Sequence, residues 1–437
     1  MNSKTILLFA SIGLLATLTT EAQESEQLMD YRSRAERYNQ DVQASEKNIR
    51  IGRELEQAAR ADYKPKLSAG ANFNYTGNPM ELTLDLPSLG QPMTFEGRDL
   101  KYGANLSLTQ PVYTGGRIKE TVRQAQKATS FAINQTEAIK SNIRYEADMR
   151  YWNTVARAEM TAIMDRFRLS VERLTDVVRA RVEVKLVDRS DLLMAEVKLN
   201  EANYQRMQAV NNYEVARMTM NSFIGTPLSE ETPTDSIIPP ILFAGTLTEQ
   251  LATAGANRAE LRMAEDRIAI QQSALKLNDA KYLPQFYVGV DGSYGSPGYN
   301  FKSDLDPNYA VYAKISIPLF EWGKRRSEKR ASALRVSIAK DNYSKVSDGV
   351  RLEVQSAYYS FTQATERVRL TANSLAKARE NEAMAVEKYK EGKISIAEVL
   401  DAQIYHQTAQ VNYVQSRLAA QMSHSEFIRA VGVNPAI

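Results

Sequence analysis

The 437-residue sequence contains no cysteine. That excludes disulfides, thiolate metal sites and cysteine nucleophiles, and it leaves no attachment point for the lipid of a bacterial lipoprotein. Histidine is nearly as scarce, with only His406 and His424. Neither stands in a His-Glu-x-x-His motif or among the helix-spaced acids of a di-iron site, so no metal or other cofactor is expected. An excess of one charge is missing too. The 55 Lys+Arg stand against 52 Asp+Glu, which gives nucleic-acid binding no electrostatic footing. Thr114-Gly115-Gly116-Arg117 lacks the Gly-Lys-Ser/Thr ending of a phosphate loop. No catalytic constellation is found, and the chain is not expected to be an enzyme.

Long apolar runs are also missing. A mean hydropathy of -0.41 with 24% charged residues excludes a bundle of membrane-spanning helices. The one apolar run, Ile6 through Leu18, follows Lys4 and precedes Thr20-Glu21-Ala22. It is too short to span a membrane and reads as a secretory signal over residues 1–22, with the mature chain starting near Gln23. If such a chain sits in a membrane, it does so with strands.

What the sequence does have is a duplication. At a constant offset of 207 positions, Pro111 falls on Pro318, Gly116 on Gly323, Arg123 on Arg330, Arg144 on Arg351, Tyr151 on Tyr358, Ala195 on Ala402 and Gly225 on Gly432. Upstream the offset becomes 219, where Tyr63, Pro65 and Gly70 meet Tyr282, Pro284 and Gly289. The first copy therefore carries a loop 12 residues longer between these blocks. Repeat 1 covers residues 23–226, with a helical lead-in, a β-hairpin at 63–113, a long helix at 117–186 and a return helix at 190–224. Repeat 2 covers 247–437, with a lead-in helix, a hairpin at 282–320, a long helix at 324–390 and a return helix at 396–430. Residues 227–246, carrying Pro227, Pro233, Pro239 and Pro240, form the connector.

The hairpin segments alternate with period two. Leu67, Ala69, Ala71, Phe73 and Tyr75 interleave with Ser68, Gly70, Asn72 and Asn74, and Tyr102, Ala104, Leu106 and Leu108 with Gly103, Asn105, Ser107 and Thr109. The second copy sets Phe286, Val288, Val290 and Tyr294 against Tyr287, Gly289, Asp291 and Ser293. Its returning segment sets Val311, Ala313, Ile315 and Ile317 against Ala310, Tyr312, Lys314 and Ser316. Such a pattern also fits a half-buried sheet in a soluble domain. Two features favour lipid. Tyr75, Tyr102, Tyr294 and Tyr309 near the tips, with Tyr63, Tyr113, Tyr282 and Phe320 near the bases, resemble the aromatic girdles of an outer-membrane barrel, and the polar positions are small and hydrated. Four strands cannot close a barrel and an open edge cannot stand in lipid, so the strands must come from several copies of the chain.

Between Gly116 and about Leu186 there is neither proline nor glycine. A helix of that length would run about 100 Å. Met160, Ile163, Phe167, Val171, Leu174 and Val178 recur at helical spacing, as on packed coiled-coil faces. Taken alone, this part fits a secreted coiled-coil rod or adhesin, which stands as the alternative reading.

The strand-to-helix segment from Leu106 to Arg117, with Pro111, Gly115 and Gly116, resembles the junction of the TolC family of outer-membrane efflux proteins. The segment from Ile315 to Lys324, with Pro318 and Gly323, is similar to the second copy of that junction, and Tyr389 through Ala402 to the family's helix-turn-helix segment. The resemblance covers essentially the whole mature chain. It implies a mixed α and β fold: a homotrimer whose 12-stranded outer-membrane β-barrel, four strands per chain, is continued by a long α-helical barrel across the periplasm. It implies an exit channel of a tripartite efflux or type I secretion system, working in outer-membrane lipid with a periplasmic adaptor and an inner-membrane pump. It also implies an aperture ringed by carboxylates at Glu398 and Asp401, with Asp191 in the first copy and Tyr389 near the gate. An i,i+3 acid pair shares one helix face, and a solvated acidic face is the other reading of that spacing. The sequence departs from the family at Ile394, where a basic residue is expected, and at Lys185, which replaces the turn glycine of the first copy.

Overall fold

The computed structural model describes residues 25–85, 90–241, 245–298 and 304–433, so the signal sequence read over residues 1–22 lies outside the described residues. In chain order the elements are α1 (Glu26–Tyr38), α2 (Gln40–Ala61), β1 (Lys66–Tyr75), β2 (Glu81–Leu84), β3 (Met93–Glu96), β4 (Leu100–Tyr113), α3 (Arg117–Glu183) and α4 (Arg189–Phe223). The second half follows as α5 (Leu247–Asn257), α6 (Ala259–Ala280), β5 (Gln285–Ser296), β6 (Asp306–Ser316), α7 (Lys324–Lys390) and α8 (Ile396–Val431). The internal repeat is visible in the helix bounds. Helices α3 and α7 are each 67 residues long and 207 positions apart, and α2 and α6 are each 22 residues long and 219 apart.

Two details differ from the pattern in the sequence. The lead-in segments are each two helices and not one, broken at Asn39 and Arg258, which occupy equivalent places in the two copies. Both residues are extended, with φ/ψ of -65/125 and -62/121. Asn39 is a residue type suited to a helix N-cap. Arg258 is not, and is held instead by Glu260 at 2.8 Å and Glu353 at 2.7 Å. Neither break carries proline or glycine. The longer loop of the first copy holds the small hairpin β2–β3, with Leu82 opposite Phe95 and Leu84 opposite Met93.

The chain divides into two compact units. One comprises residues 40–141 and 252–353, with the four-stranded sheet, α2, α6 and the first parts of α3 and α7. Here one carboxylate of α6 ties it to three positions of α3. Asp266 accepts from Lys127 at 3.0 Å, Ser130 at 2.7 Å and Asn134 at 2.9 Å, donors on one face of α3 at helical spacing.

The other unit comprises residues 1–39, 142–251 and 354–437 and, among the described residues, is helical apart from its turns and the connector. Its packing uses small and β-branched residues: Ala147, Val155, Ala156, Val171 and Val178 of α3, Ala195 and Ala202 of α4, and Val399 and Val414 of α8 are all buried. Short side chains let helix axes approach closely. Among them lies a buried ion pair. Arg32 of α1 grips Asp148 of α3 through two bonds, at 2.6 and 2.8 Å, and Ser425 of α8 donates to the same carboxylate at 2.7 Å. The arginine and aspartate side chains are 4% and 5% exposed.

The proline-bearing connector is irregular backbone strapped down at its polar groups. Ile238 donates its N–H to Glu159 at 2.6 Å, and Arg417 donates to the Ile238 carbonyl at 2.9 Å and to Glu159 at 2.5 Å. Gln421 donates to the Pro239 carbonyl, and Asn221 donates to the carbonyls of Pro227, Leu228 and Glu230. A segment without internal ladders must satisfy its buried groups this way.

Removing one partner of a buried ion pair strands the other charge. Asp148→Ala should therefore cost about 3–5 kcal/mol, and Ser425→Ala about 1 kcal/mol, in denaturant titrations followed by helical circular dichroism. His424 packs against the Phe361 ring at 5.2 Å. Burial depresses its pKa below the ordinary 6.5, Asp148 opposing this and Arg32 adding to it. The unfolded chain then takes up a proton that the folded one resists, so stability is full above about pH 6.5 and declines as pH falls below it. Thermal melts of His424→Phe should lose that part of the acid sensitivity.

Candidate functional site: a two-faced sheet, its junctions and the helix tips

The four main strands pair antiparallel in the order β1-β4-β5-β6, so the outer edges of β1 and β6 have no partner among the described residues. Register puts the two hairpins in phase. On one face the cross-strand rows are Lys66–Thr109–Gly289–Tyr312, Ser68–Ser107–Asp291–Ala310, Gly70–Asn105–Ser293–Asn308 and Asn72–Gly103–Gly295–Asp306. On the other they are Leu67–Leu108–Val290–Val311, Ala69–Leu106–Gly292–Tyr309 and Ala71–Ala104–Tyr294–Pro307. A slip of one residue in either hairpin would mix the faces. The apolar face is uncovered within the chain, with Phe73 75% and Val311 74% exposed. Strands of 10 to 14 residues match the length a membrane-spanning strand needs.

The polar face carries its own bracing. Tyr312 lies over Gly289, where any side chain would strike its ring, and shares a 3.0 Å hydrogen bond with Thr109, so one residue spans three strands. Ser107 donates to Asp291 across β4 and β5. On the apolar face the four tip tyrosines step down one apolar row per strand: Tyr75 on β1, Tyr102 on β4, Tyr294 on β5 and Tyr309 on β6. The line is diagonal to the strands. Tilting strands by about 45° in that sense brings it toward one level.

At the bases, each strand turns into its long helix through left-handed residues. Gly115 and Gly116 have φ of 62° and 84° in the first copy, and Trp322 and Gly323 have 49° and 81° in the second. Pro111 is the last residue of β4 in regular register before a bulge at Val112, and Pro318 follows the end of β6. Gly115 also lies so close to Leu283 and the Ala280 carbonyl that a Cβ there would meet them at 2.7 and 2.9 Å.

At the helix tips the two turns share one hydrogen-bond pattern. In the first copy Lys185 N–H donates to Val182 and Leu186 N–H to Arg181; in the second Gly392 donates to Tyr389 and Lys393 to Lys388. Both turn residues are left-handed, with φ of 59° for Lys185 and 72° for Gly392. After the turn the copies diverge. Glu398 is part of a capping box: it accepts from the Ser395 N–H at 3.1 Å and from the Ser395 hydroxyl at 3.0 Å, while Ser395 accepts from the Glu398 N–H. Asp188, the equivalent cap of α4, makes no such bond. Glu398 and Asp401 are exposed and Asp191 is half-buried. Tyr389 is buried, 4% exposed, in a cluster with Leu174, Val178, Ala195, Ile396, Val399 and Leu400. Burial raises its pKa, Arg181 opposing this and Asp191 adding to it.

Arg181 went unnoticed in the sequence. It donates to the carbonyls of Tyr389 at 3.0 Å and Lys390 at 2.8 Å, at the C-terminal end of α7, and its guanidinium lies 4.7 Å over the Tyr389 ring. Arg181 thus ties the end of α3 to the end of α7. It sits in a long charged helix with no spacing signal to single it out. A second tie lies further along the helices, where His406 pairs with Glu382 and Ser170 accepts from Gln403 at 2.9 Å. Both histidines are therefore engaged in helix packing.

Comparison with known proteins supplies the identity. The profile of the family described as outer membrane efflux protein matches residues 31–226 and 251–433. The outer membrane efflux protein BepC of Brucella suis is 21% identical over 431 residues, covering 98% of this chain and 90% of that protein. Among solved structures, CusC superposes with a TM-score of 0.76 at 17% identity, over 94% of this chain and 92% of CusC. The open state of the MtrE channel of Neisseria gonorrhoeae gives 0.73 at 19% identity, over 93% and 89%. The likeness lies with outer-membrane channels and not with a secreted coiled-coil rod. The chain belongs to the outer membrane efflux protein family, and its function is that of an efflux channel of the bacterial outer membrane.

Proposed function

We propose that three copies of the chain join their sheets edge to edge into one 12-stranded barrel, forming a passive trimeric duct for a periplasmic adaptor and an inner-membrane pump that supplies the energy. The observation that carries this reading is the in-phase sheet, apolar and uncovered on one face, polar on the other, and open at both edges. Lipid would cover the apolar face, Tyr75, Tyr102, Tyr294 and Tyr309 would sit at its outer boundary, and the polar face would line water. Pro111, Gly115, Gly116, Pro318 and Gly323 would turn the wall from strand to helix. Native protein should appear in outer-membrane extracts as a heat-modifiable oligomer of three chains. Recovery as a soluble monomer would defeat the reading.

At the helix tips, Glu398, Asp401 and Asp191 would form the acidic aperture, with Tyr389 as packing support behind it. The capping box supports a division of labour: Glu398 holds the start of α8, and Asp401, free of that bond, carries more of the field at the opening. Asp401→Asn should weaken block by multivalent cations on the order of tenfold in single-channel recordings. Glu398→Gln, which keeps the cap, should weaken it less. Arg181→Ala frees the end of α7 and should raise resting conductance. Equal block in the two acid variants, or unchanged conductance in the arginine variant, would contradict this assignment.

A further inference from the structure

The second strand-to-helix junction departs from the first in ways that channel architecture does not require. Where the first copy has Gly115, the second has Trp322, held at a φ of 49°. That backbone region is costly for a bulky side chain. A strained residue persists where something over-determines it. Trp322 is nevertheless 90% exposed, with Phe320 edge-on to it at 4.9 Å between ring centroids. Protein packing within the chain does not hold it there.

Directly behind these rings, residues 324–330 carry Lys324, Arg325, Arg326, Lys329 and Arg330 against the single acid Glu328. In the first copy the matching stretch packs inward, with Ile118 and Glu120 buried; their counterparts Arg325 and Ser327 are exposed. Lys329 meets Asp279 at 3.0 Å and Lys324 meets Glu321 at 3.8 Å. Arg326 and Arg330, one turn apart on α7, have no ion-pair partner among the described residues. The opposite ends of the strands lean to the other sign, with Glu81, Asp85, Glu96 and Asp99 around β2 and β3 outnumbering Arg98 and Lys101.

We propose that this junction is a docking surface for anionic phospholipid headgroups in the membrane leaflet on the helix side of the barrel. The inference rests on reading the sheet as an outer-membrane barrel. Trp322 and Phe320 sit at headgroup depth, where an amphipathic ring gains from both phases. Arg326 and Arg330 engage lipid phosphates, which a guanidinium fork grips in two places. A negatively charged leaflet attracts basic residues at its surface. A second copy of the chain fits this surface less well. The free edge that barrel closure brings here is β1, whose base carries Lys64 and Lys66 and so adds cations.

The chain contains two tryptophans, and Trp152 is buried in the helical unit. Trp322 fluorescence therefore reports on the junction, with a Trp322→Phe chain supplying the Trp152 background. The full chain is reconstituted in phosphatidylethanolamine vesicles containing equal mole fractions of phosphatidylglycerol, with either lipid brominated in turn. Brominated phosphatidylglycerol should quench Trp322 about twofold more strongly than brominated phosphatidylethanolamine, and Arg326→Gln with Arg330→Gln should abolish the preference without reducing insertion. Equal quenching by the two lipids overturns the headgroup preference. Absence of quenching by either places the indole against protein and overturns the docking surface. Insertion is scored separately by vesicle flotation and conductance, so a chain that fails to insert overturns the barrel reading and the docking with it.

Discussion

Everything in the sheet-bearing unit turns on one constraint: a strand in lipid must spend every backbone N–H and C=O on another strand. The order β1-β4-β5-β6 leaves two edges unmet, and the exposed Phe73, Val311 and Ile315 leave an apolar face unmet as well. Water can satisfy the edges but not that face, and lipid can satisfy the face but not the edges. Only closure with further strands inside a membrane meets both needs. On the proposed closure the polar face is the inner wall, and small residues suit that place. Glycine at 289 lets the Tyr312 ring lie over the sheet, and Gly103 opposite Gly295 lets the two backbones approach closely.

Duplication supplies the elements at low cost in sequence, and divergence supplies the special positions. The helix bounds agree between copies to within a residue or two, because they are set by backbone hydrogen-bonding and by turns with shared geometry. The copies differ at the turns and caps. Gly392 meets the left-handed turn without strain, whereas Lys185 must adopt φ 59° in the same place. Ser395 and Glu398 cap one return helix, while Asp188 leaves its counterpart uncapped. Trp322 replaces Gly115. Each difference sits at the end of a helix or strand, where one residue can change function without disturbing the packed interior.

The helical unit shows the complementary principle. Its core mixes alanine and valine with a few large side chains such as Tyr31, Tyr151, Phe361 and Phe427, and polar groups are buried among them. Buried polar ties help to set the register: Arg32 with Asp148 and Ser425, and Arg417 with Glu159 and Ile238. An unpaired buried charge is far more costly than a shifted methyl group, so such ties select one alignment of neighbouring helices.

The sequence alone determined the repeat, the alternation of the strands, the long helices and the positions of the turns. These are properties of periodicity and of residues such as Pro111, Gly116 and Gly392, and they act through near neighbours in the chain. Tertiary structure decided the rest. That Tyr75, Tyr102, Tyr294 and Tyr309 fall on one diagonal depends on cross-strand register, which spans more than 200 residues of sequence. That Arg181 reaches the carbonyls at the end of α7 depends on the meeting of α3 and α7. The Glu398–Ser395 cap, by contrast, spans three residues and is carried by the local Ser-x-x-Glu spacing. Local patterns fix what a segment can become; which side chain meets which is fixed only when distant segments pack, because hydrogen bonds and ion pairs act over a few ångströms of space and not along the chain.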